Sequence, residues 1–317
     1  MGLIKYSTSK LLGLSFVILA VVIVIASPKV EAPHPSESSQ LSQSLTAEPP
    51  PPLPQLPFGG RKLMPSYVFV ALYGSPNYPA LGALGQQGID ESIARIKELA
   101  ASYQTLSPNT VIPTFEIIAS VASASPTENG DYSQEVDLSV INPWVEAAKQ
   151  NNIYVILDLQ PGRVDFLTQA KHYETLLLQE HVGLALDPEW RLLPNQVHLT
   201  QIGHVDANEV NTVADWLNRL IKINNLPQKM FVLHQFRSDM LPNRDLINTS
   251  FDNLAFVFHI DGQGSQAAKD ETYRNLTTTP PANAYFGWKN FYQKDIGLRT
   301  PADTMSVQPT PLLITYQ

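Results

Sequence analysis

Cysteine is missing from all 317 residues. That excludes disulfide bonds, thiolate zinc sites, a cysteine nucleophile and an acylated lipoprotein cysteine. Any metal would have to be held by His, Asp or Glu. Charge is scarce too: charged residues make up 16% of the chain, with 21 basic against 29 acidic and a net charge of −8. So few cations leave no footprint for a phosphate backbone, and nucleic acid is not an expected partner. Gly59-Gly60 and the stretch Gly82 to Gly88 lack the strand, spacing and Lys of a phosphate-binding loop. Gly-x-Ser-x-Gly is missing, which argues against an α/β-hydrolase esterase. No cofactor and no bound metal are expected.

Hydrophobic residues, in contrast, form 44% of the chain, enough for one large core or two small ones. Lys5 and Lys10 precede an unbroken apolar run from Leu11 to Ala26, which reads as a charged region followed by a membrane-inserting segment. Residues 1–26 are therefore expected to be a signal peptide or an N-terminal membrane anchor. In both cases the rest of the chain lies outside the cytoplasm, secreted or held at the outer face of the membrane. Residues 27–60 are rich in Ser, Gln, Glu and Pro, with Pro49 to Pro52 and Pro54 in close succession. Such a segment has too few apolar residues for a core and reads as a disordered, semi-extended linker. The folded domain is expected over residues 61–317.

Within that domain short apolar runs alternate with amphipathic helical stretches, the pattern of βα units around a parallel sheet. Strands are predicted at Tyr67 to Tyr73, Thr114 to Val121, Ile153 to Leu159, Val182 to Asp187, Met230 to Gln235, Leu254 to Asp261, Ala284 to Trp288 and Leu312 to Tyr316. Helices are predicted at Asp90 to Tyr103, Pro143 to Gln150, Asp165 to Leu178, Ala207 to Ile223 and Gln266 to Leu276. Asn142 before Pro143 reads as a helix start, and Asp206 with Glu209 as a capping box. Eight strands over this length fit an α/β fold, a (β/α)8 TIM-type barrel of roughly 250 residues. Parity supports closure: Gly183, Ala185 and Asp187 share one face of their strand, and so do Ala255, Val257, His259 and Asp261 of theirs. The helical signal around Thr300 to Met305 is short and none follows the last strand, so the expectation is a barrel lacking a regular seventh and eighth helix, either incomplete or plugged by the segment near Phe58 to Leu63. An open doubly wound sheet is the alternative.

In a barrel the chemistry lies where the strands end, and here those ends are polar. They carry Tyr73, Glu116, Asp158 with Gln160, Asp187 with Glu189, His234 with Gln235, His259 with Asp261, Trp288 with Lys289, and Tyr316. Buried carboxylates are costly unless used or paired. In Leu186-Asp187-Pro188-Glu189-Trp190-Arg191 an extended chain would point both carboxylates one way, and mutual repulsion with partial burial would keep one of them protonated. Trp190 offers a flat apolar face on which a sugar ring stacks. Glu189, Asp187, Asp158 and Asp261 are the candidate catalytic residues. Tyr73, Glu116, Gln160, Arg163, Trp190, Arg191, His234, Gln235, His259, Trp288 and Tyr316 are the candidate substrate-binding residues. Salt bridges from the acids to Arg163 or Arg191 are the competing structural reading. Long loops at Gly74 to Gly88, Ser123 to Glu135 and Trp190 to Val205 would wall a groove, with Tyr78 and Tyr132 as further stacking faces.

At Asp187-x-Glu189 the chain resembles the secreted sugar-cleaving barrels whose fourth strand ends in Asp-x-Glu, the chitinase-type and lysozyme-type glycoside hydrolases. That resemblance implies Glu189 as the acid, with Asp187 orienting an acetamido group or tuning it. The chain departs from the chitinase pattern at Val182 and Ala185, where further acids would stand, and at Leu157 to Arg163 in the third strand. Over Leu157 to Arg163, Ala185 to Arg191 and Leu233 to Phe236 it resembles a group of uncharacterised secreted bacterial (β/α)8-barrel proteins, which implies no established activity.

The leading expectation is an extracytoplasmic glycoside hydrolase-like protein acting on a cell-wall or capsule polysaccharide or another cell-envelope substrate, attached to the membrane through residues 1–26 if these are uncleaved. A barrel that binds glycan without turnover is the alternative. A metal-dependent phosphodiesterase or deacetylase built on His234, His259 and the carboxylates is the second. His172, His181, His198 and His204 are expected to be solvated or structural.

Overall fold

Eight strands do close into a barrel. The computed structural model describes residues 52–317, so the expected signal or anchor at 1–26 and most of the expected linker lie outside the described residues. The strands are β1 (Tyr67–Gly74), β2 (Thr110–Ala122), β3 (Ser133–Glu135), β4 (Tyr154–Leu159), β5 (Val182–Leu186), β6 (Lys229–Gln235), β7 (Leu254–Ile260), β8 (Tyr285–Asn290) and β9 (Leu313–Tyr316). All but β3 run parallel, each beside its predecessor, and β1 pairs with both β2 and β9. That last pairing closes the sheet and removes the doubly wound alternative. The hairpin strand β3, antiparallel to the end of β2, lies in a stretch read from sequence as loop.

Around the barrel lie α1 (Ile89–Gln104), α2 (Leu138–Gln150), α3 (Phe166–His172), α4 (Glu174–Leu177), α5 (Ala207–Ile223), α6 (Gln266–Thr277) and α7 (Pro301–Met305). The seventh helix is thus a short one, and none follows β9 within the described residues. Among these residues no helix is long and apolar enough to cross a membrane. The helix α5 shows why such segments fold where they do: Val210, Val213, Ala214, Leu217, Leu220 and Ile221 recur at helical spacing and are buried. Asp206 caps it by accepting from the amides of Asn208 and Glu209 at 2.7 and 3.2 Å. The expected reciprocal half of that capping box is not made, because Glu209 turns away to the amide of Phe166 and to Arg191. The helix α2 starts a turn earlier than expected, capped by Asp137, whose carboxylate accepts from Ser139 at 2.7 Å. Pro143 therefore sits inside α2, on its exposed side, and not in its first turn.

Alternation along each strand sorts the core into two layers. Outward residues such as Val68, Val70 and Leu72 pack under the helices, whereas Phe69, Ala71, Tyr154, Ile156, Ala185, Met230, Val232, Ala255, Val257 and Leu313 fill the lumen. Small and large inward residues alternate so that the lumen fills without collision. Gly183 faces Tyr154, whose hydroxyl would lie 2.8 Å from any Cβ there and instead accepts the Met230 amide at 3.0 Å.

The end of the barrel opposite the strand termini is stopped by the segment before β1. Leu56, Leu63 and Met64 are buried in the lumen layer. Phe58 meets the rings of Tyr67, Phe69 and Tyr154 edge-on at 5.0, 6.3 and 6.4 Å. Arg61 donates to the carbonyls of Asn225 and Leu226 at 2.9 Å, and the Leu63 amide to Gln228 at 2.8 Å. The plug is as expected, but the packed structure begins before residue 60, where the linker was expected to end, because Leu56 and Phe58 have apolar partners to bury against. Leu56→Ala should therefore destabilise the protein by roughly 2–4 kcal/mol, read as a lowered urea midpoint; an unchanged midpoint would show that the barrel does not depend on this segment.

Candidate functional site

The inward residues of the final turn of each strand converge on one buried polar cluster. Register places Tyr73 beside Glu116, His234 beside His259, His259 beside Gly287 and Lys289 beside Thr315. His234 is at the centre. Its Nδ1 lies 3.0 Å from Asp261 Oδ2, its Nε2 lies 3.0 Å from Glu116 Oε1, and Asp158 Oδ1 is 3.9 Å from Nε2. Burial by itself would strip a proton from this ring, but the charges of Glu116 and Asp158 and the hydrogen bonds to Asp261 and Glu116 outweigh it. His234 is held well above the usual histidine range and is an imidazolium donating from both nitrogens.

That cation sorts the carboxyl groups around it. Burial raises Asp261, but the hydrogen bond from His234 and the charges of His234 and Lys289 more than offset it and leave Asp261 below its ordinary value. Asp158, buried and near Glu116, is pushed up to about 6 despite His234; Tyr73 donates its hydroxyl to Asp158 Oδ2 at 2.7 Å. Burial and then the Asp158 charge raise that phenol well above its ordinary value, so Tyr73 stays a neutral donor. Asp187 is raised well above the carboxylate range, by burial first and by the Glu189 charge second. Glu189 is pushed up to about 7, again by burial first and by Asp261 second. Beside the imidazolium, burial and its charge keep His259 neutral, with Nε2 2.8 Å from Thr315 Oγ1. A side chain at Gly287 would collide with His259 Nδ1, so the glycine of β8 makes the room that His259 occupies.

Above the cluster opens a cavity of about 410 Å³, within the size range of small-molecule sites. Tyr73, Gln160, Glu189, Trp190, Asp261 and Lys289 line it, with Phe236 and Phe291. Of the four candidate catalytic acids, Glu189 and Asp261 reach this cavity; Asp158 and Asp187 lie beneath it, fully buried. Glu189 stands in the single 3-10 turn Pro188–Trp190 after β5, so Asp187 and Glu189 are carried on a turn and not on the extended chain assumed from the sequence.

Several expected binding residues lie elsewhere. Arg191 pairs with Glu209 at 3.0 Å, and Arg163 donates to the carbonyl of Gln196 at 2.8 Å while stacking on Tyr132 at 4.5 Å. Both arginines stitch loops together, and neither holds a strand-end acid. Tyr132 is thereby a packing residue, and Tyr78 is exposed away from this cavity. Gln235 is spent on the carbonyl of Arg237 and the guanidinium of Arg244. Trp288 and Tyr316 point outward to the helices: Trp288 packs on Tyr273 at 5.4 Å, and the Tyr316 hydroxyl meets that of Tyr103 at 2.5 Å. Their inward neighbours, Lys289 and Thr315, take the places assigned to them. The signal was in the sequence, since Gly287 is the small inward residue of β8 and fixes Lys289 on the same face. His181 and His198 are structural, each bonded through Nε2 to a backbone carbonyl.

Fold and site together define a closed parallel (β/α) barrel with an imidazolium-centred acid cluster under a cavity at the C-terminal ends of its strands. No protein-family model and no curated protein matches the chain. Among solved structures it is similar to a xylanase and α-amylase inhibitor protein from Scadoxus multiflorus, with 12% identity and a TM-score of 0.45 over 78% of this chain and 92% of that one. It is also similar to a protein assigned as an α-L-fucosidase from Bacteroides thetaiotaomicron, with 10% identity and a TM-score of 0.39 over 79% and 85% of the two chains. At such identities the likeness extends to the barrel architecture alone.

The raised Glu189 carries a cost that stability measurements can read. Between its ordinary value of 4.5 and about 7 the folded state keeps a proton that the unfolded chain gives up. Stability therefore falls as pH rises through that window, by up to about 3 kcal/mol at 1.36 kcal/mol per unit. Glu189→Gln should unfold at a higher temperature than the parent at pH 8 and at nearly the same temperature at pH 4; equal differences at both would show that Glu189 is an ordinary solvated carboxylate.

Proposed function

We propose that the protein is a glycoside hydrolase-like enzyme that cleaves a cell-wall or capsule polysaccharide outside the cytoplasm, with Glu189 as the general acid and Asp261 as its ionised partner. The observation that carries this reading is that Glu189 and Asp261 line one cavity while their surroundings push the proton onto the first and off the second. Two carboxyl groups with opposite protonation states beside a ligand are what protonation of a leaving oxygen and stabilisation of the resulting cationic sugar need. Asp261, held by His234, would serve as nucleophile, base or electrostatic stabiliser. Glu189 would give its proton to the glycosidic oxygen as the bond to the sugar carbon breaks, and recover it from water. Trp190, on the same wall, supplies a stacking face for the ring. The apolar run after Lys5 and Lys10 supports the extracytoplasmic location.

The metal-dependent alternative is less well supported by the same geometry. His234 gives both ring nitrogens to carboxylates and is not poised as a ligand, and the unpaired nitrogen of His259, Nδ1, is buried against Gly287 and does not line the cavity.

Reducing-end release from a panel of wall and capsule polysaccharides tests the reading. Glu189→Gln should lower the rate by about 10²–10⁴-fold on any polysaccharide that the parent cleaves; full activity in that variant would overturn it. Saturable binding with no release by the parent would instead indicate a glycan-binding barrel. For an active parent, activity should fall as pH rises through about 7, where Glu189 loses its proton, and on the acid side only below the ordinary carboxylate range, where Asp261 gains one. A rate that keeps rising above pH 8 would exclude Glu189 as the acid.

A further inference from the structure

The cavity that holds the two acids is also lined by two lysines whose ammonium donors no described residue accepts. Lys289 ends β8 facing inward, and the residue is only 3% exposed. Its Nζ lies 3.5 Å from the ring centroid of Tyr73 and 5.3 Å from that of Phe291. The nearest carboxylate oxygen, Asp261 Oδ2, is 4.0 Å away and is already taken by His234 at 3.0 Å. Among the described residues Lys289 has no hydrogen-bond acceptor, although an ammonium carries three donors. The Tyr73 ring faces the charge on one side. Lys289 also lines the cavity, so a ligand there can reach its ammonium.

Lys294 lines the same cavity from its exposed rim, 5.7 Å from the Phe291 ring, and forms no ion pair with a described residue. Two lysines lining one cavity without a hydrogen-bond acceptor among the described residues do not follow from bulk composition, since the chain has a net charge of −8. Lys289 lends its charge to Asp261, 4.0 Å away, but donates no hydrogen bond to it, so its donors remain unused. A neutral, apolar ligand face closing over Lys289 would leave its ammonium donors without acceptors, with Asp261 at 4.0 Å as a counter-charge that accepts none of them, which is costly. A carboxylate supplies the missing acceptors and a closer counter-charge, through short charge-assisted hydrogen bonds.

We propose that the cavity takes a carboxylate-bearing sugar of the uronate type, its carboxylate received by Lys289 and Lys294 and its ring lying in reach of Trp190. This names the substrate class of the site and rests on the reading of that cavity as the substrate site.

The test is titration calorimetry on the full chain carrying Glu189→Gln, so that no ligand is consumed. The probes are trisaccharides of galacturonate, glucuronate and mannuronate, each paired with its methyl ester, which keeps the ring and removes the charge. At least one free acid should bind about tenfold or more tightly than its ester. Raising salt from about 50 mM to about 500 mM should shrink that preference by screening. Lys289→Gln should abolish it. Lys294→Gln, at an exposed position where folding is not at stake, should weaken the same acid by about two- to fivefold. The proposal is overturned if every ester binds as well as its acid, or if no member of any pair binds. Hydrolysis of a neutral polysaccharide by the parent together with no acid preference would remove this inference and keep the hydrolase; acid-selective binding with no cleavage by the parent would do the reverse.

Discussion

The imidazolium of His234, fixed between Glu116 and Asp261 at 3.0 Å on each side, is the interaction on which the rest of the barrel mouth depends. Glu116, Asp158, Asp187 and Asp261 all end inside the lumen, where an ionised carboxylate without a counter-charge is expensive. A cation in their midst keeps Asp261 ionised and leaves the others to find different solutions. Asp158 takes a hydrogen bond from Tyr73, and Asp187 keeps its own proton. Removing His234 would take the hydrogen-bond partner from both Glu116 and Asp261, so the ring ties the ends of the strands together as well as setting the electrostatics.

The barrel makes this cluster possible by geometry alone. Closure through β1 and β9 brings inward residues from all around the sheet within a few ångströms of each other, although Glu116 and His234 are 118 residues apart in sequence. Space for polar side chains comes from small inward neighbours. Gly287 yields to His259, and below the mouth Gly183 yields to Tyr154. Beneath them the apolar lumen layer and the plug around Leu56 exclude water from the far end, so the cavity is the mouth's route to solvent and the low dielectric below strengthens each pairing.

What was legible in the sequence follows from how local each signal is. Apolar runs mark the strands, and parity along them puts Asp158, Asp187, His259 and Asp261 on the inward face. Parity also contained the answer for β8 and β9, yet Trp288 and Tyr316 drew attention because large aromatics look like ligand-stacking groups, whereas here they fill the layer under the helices. The linker boundary at residue 60 misled because composition cannot show that Leu56 and Phe58 have partners in β1 and β4. Arg163 and Arg191 were plausible partners for the acids by charge, but their reach is spent on loop carbonyls and Glu209, contacts that join segments distant in sequence. The central place of His234 was likewise invisible: it is a property of four strands at once.

The same long-range pairing explains why four nearly equivalent carboxyl groups end with different chemistry. Asp187 and Glu189 sit two residues apart, and both are raised, yet Asp187 is sealed under the turn Pro188–Trp190 while Glu189 reaches the cavity. Asp261 and Asp158 both neighbour His234, yet Asp261 takes the ring's hydrogen bond and Lys289's charge, whereas Asp158 stands at 3.9 Å with Glu116 beside it. Depth below the cavity decides which groups a ligand can meet, and position relative to one imidazolium decides which of those carries a proton. A protonated Glu189 facing an ionised Asp261 is therefore a consequence of where β5 and β7 end around His234, and the pair would persist through changes in the loops as long as that ring stays clamped.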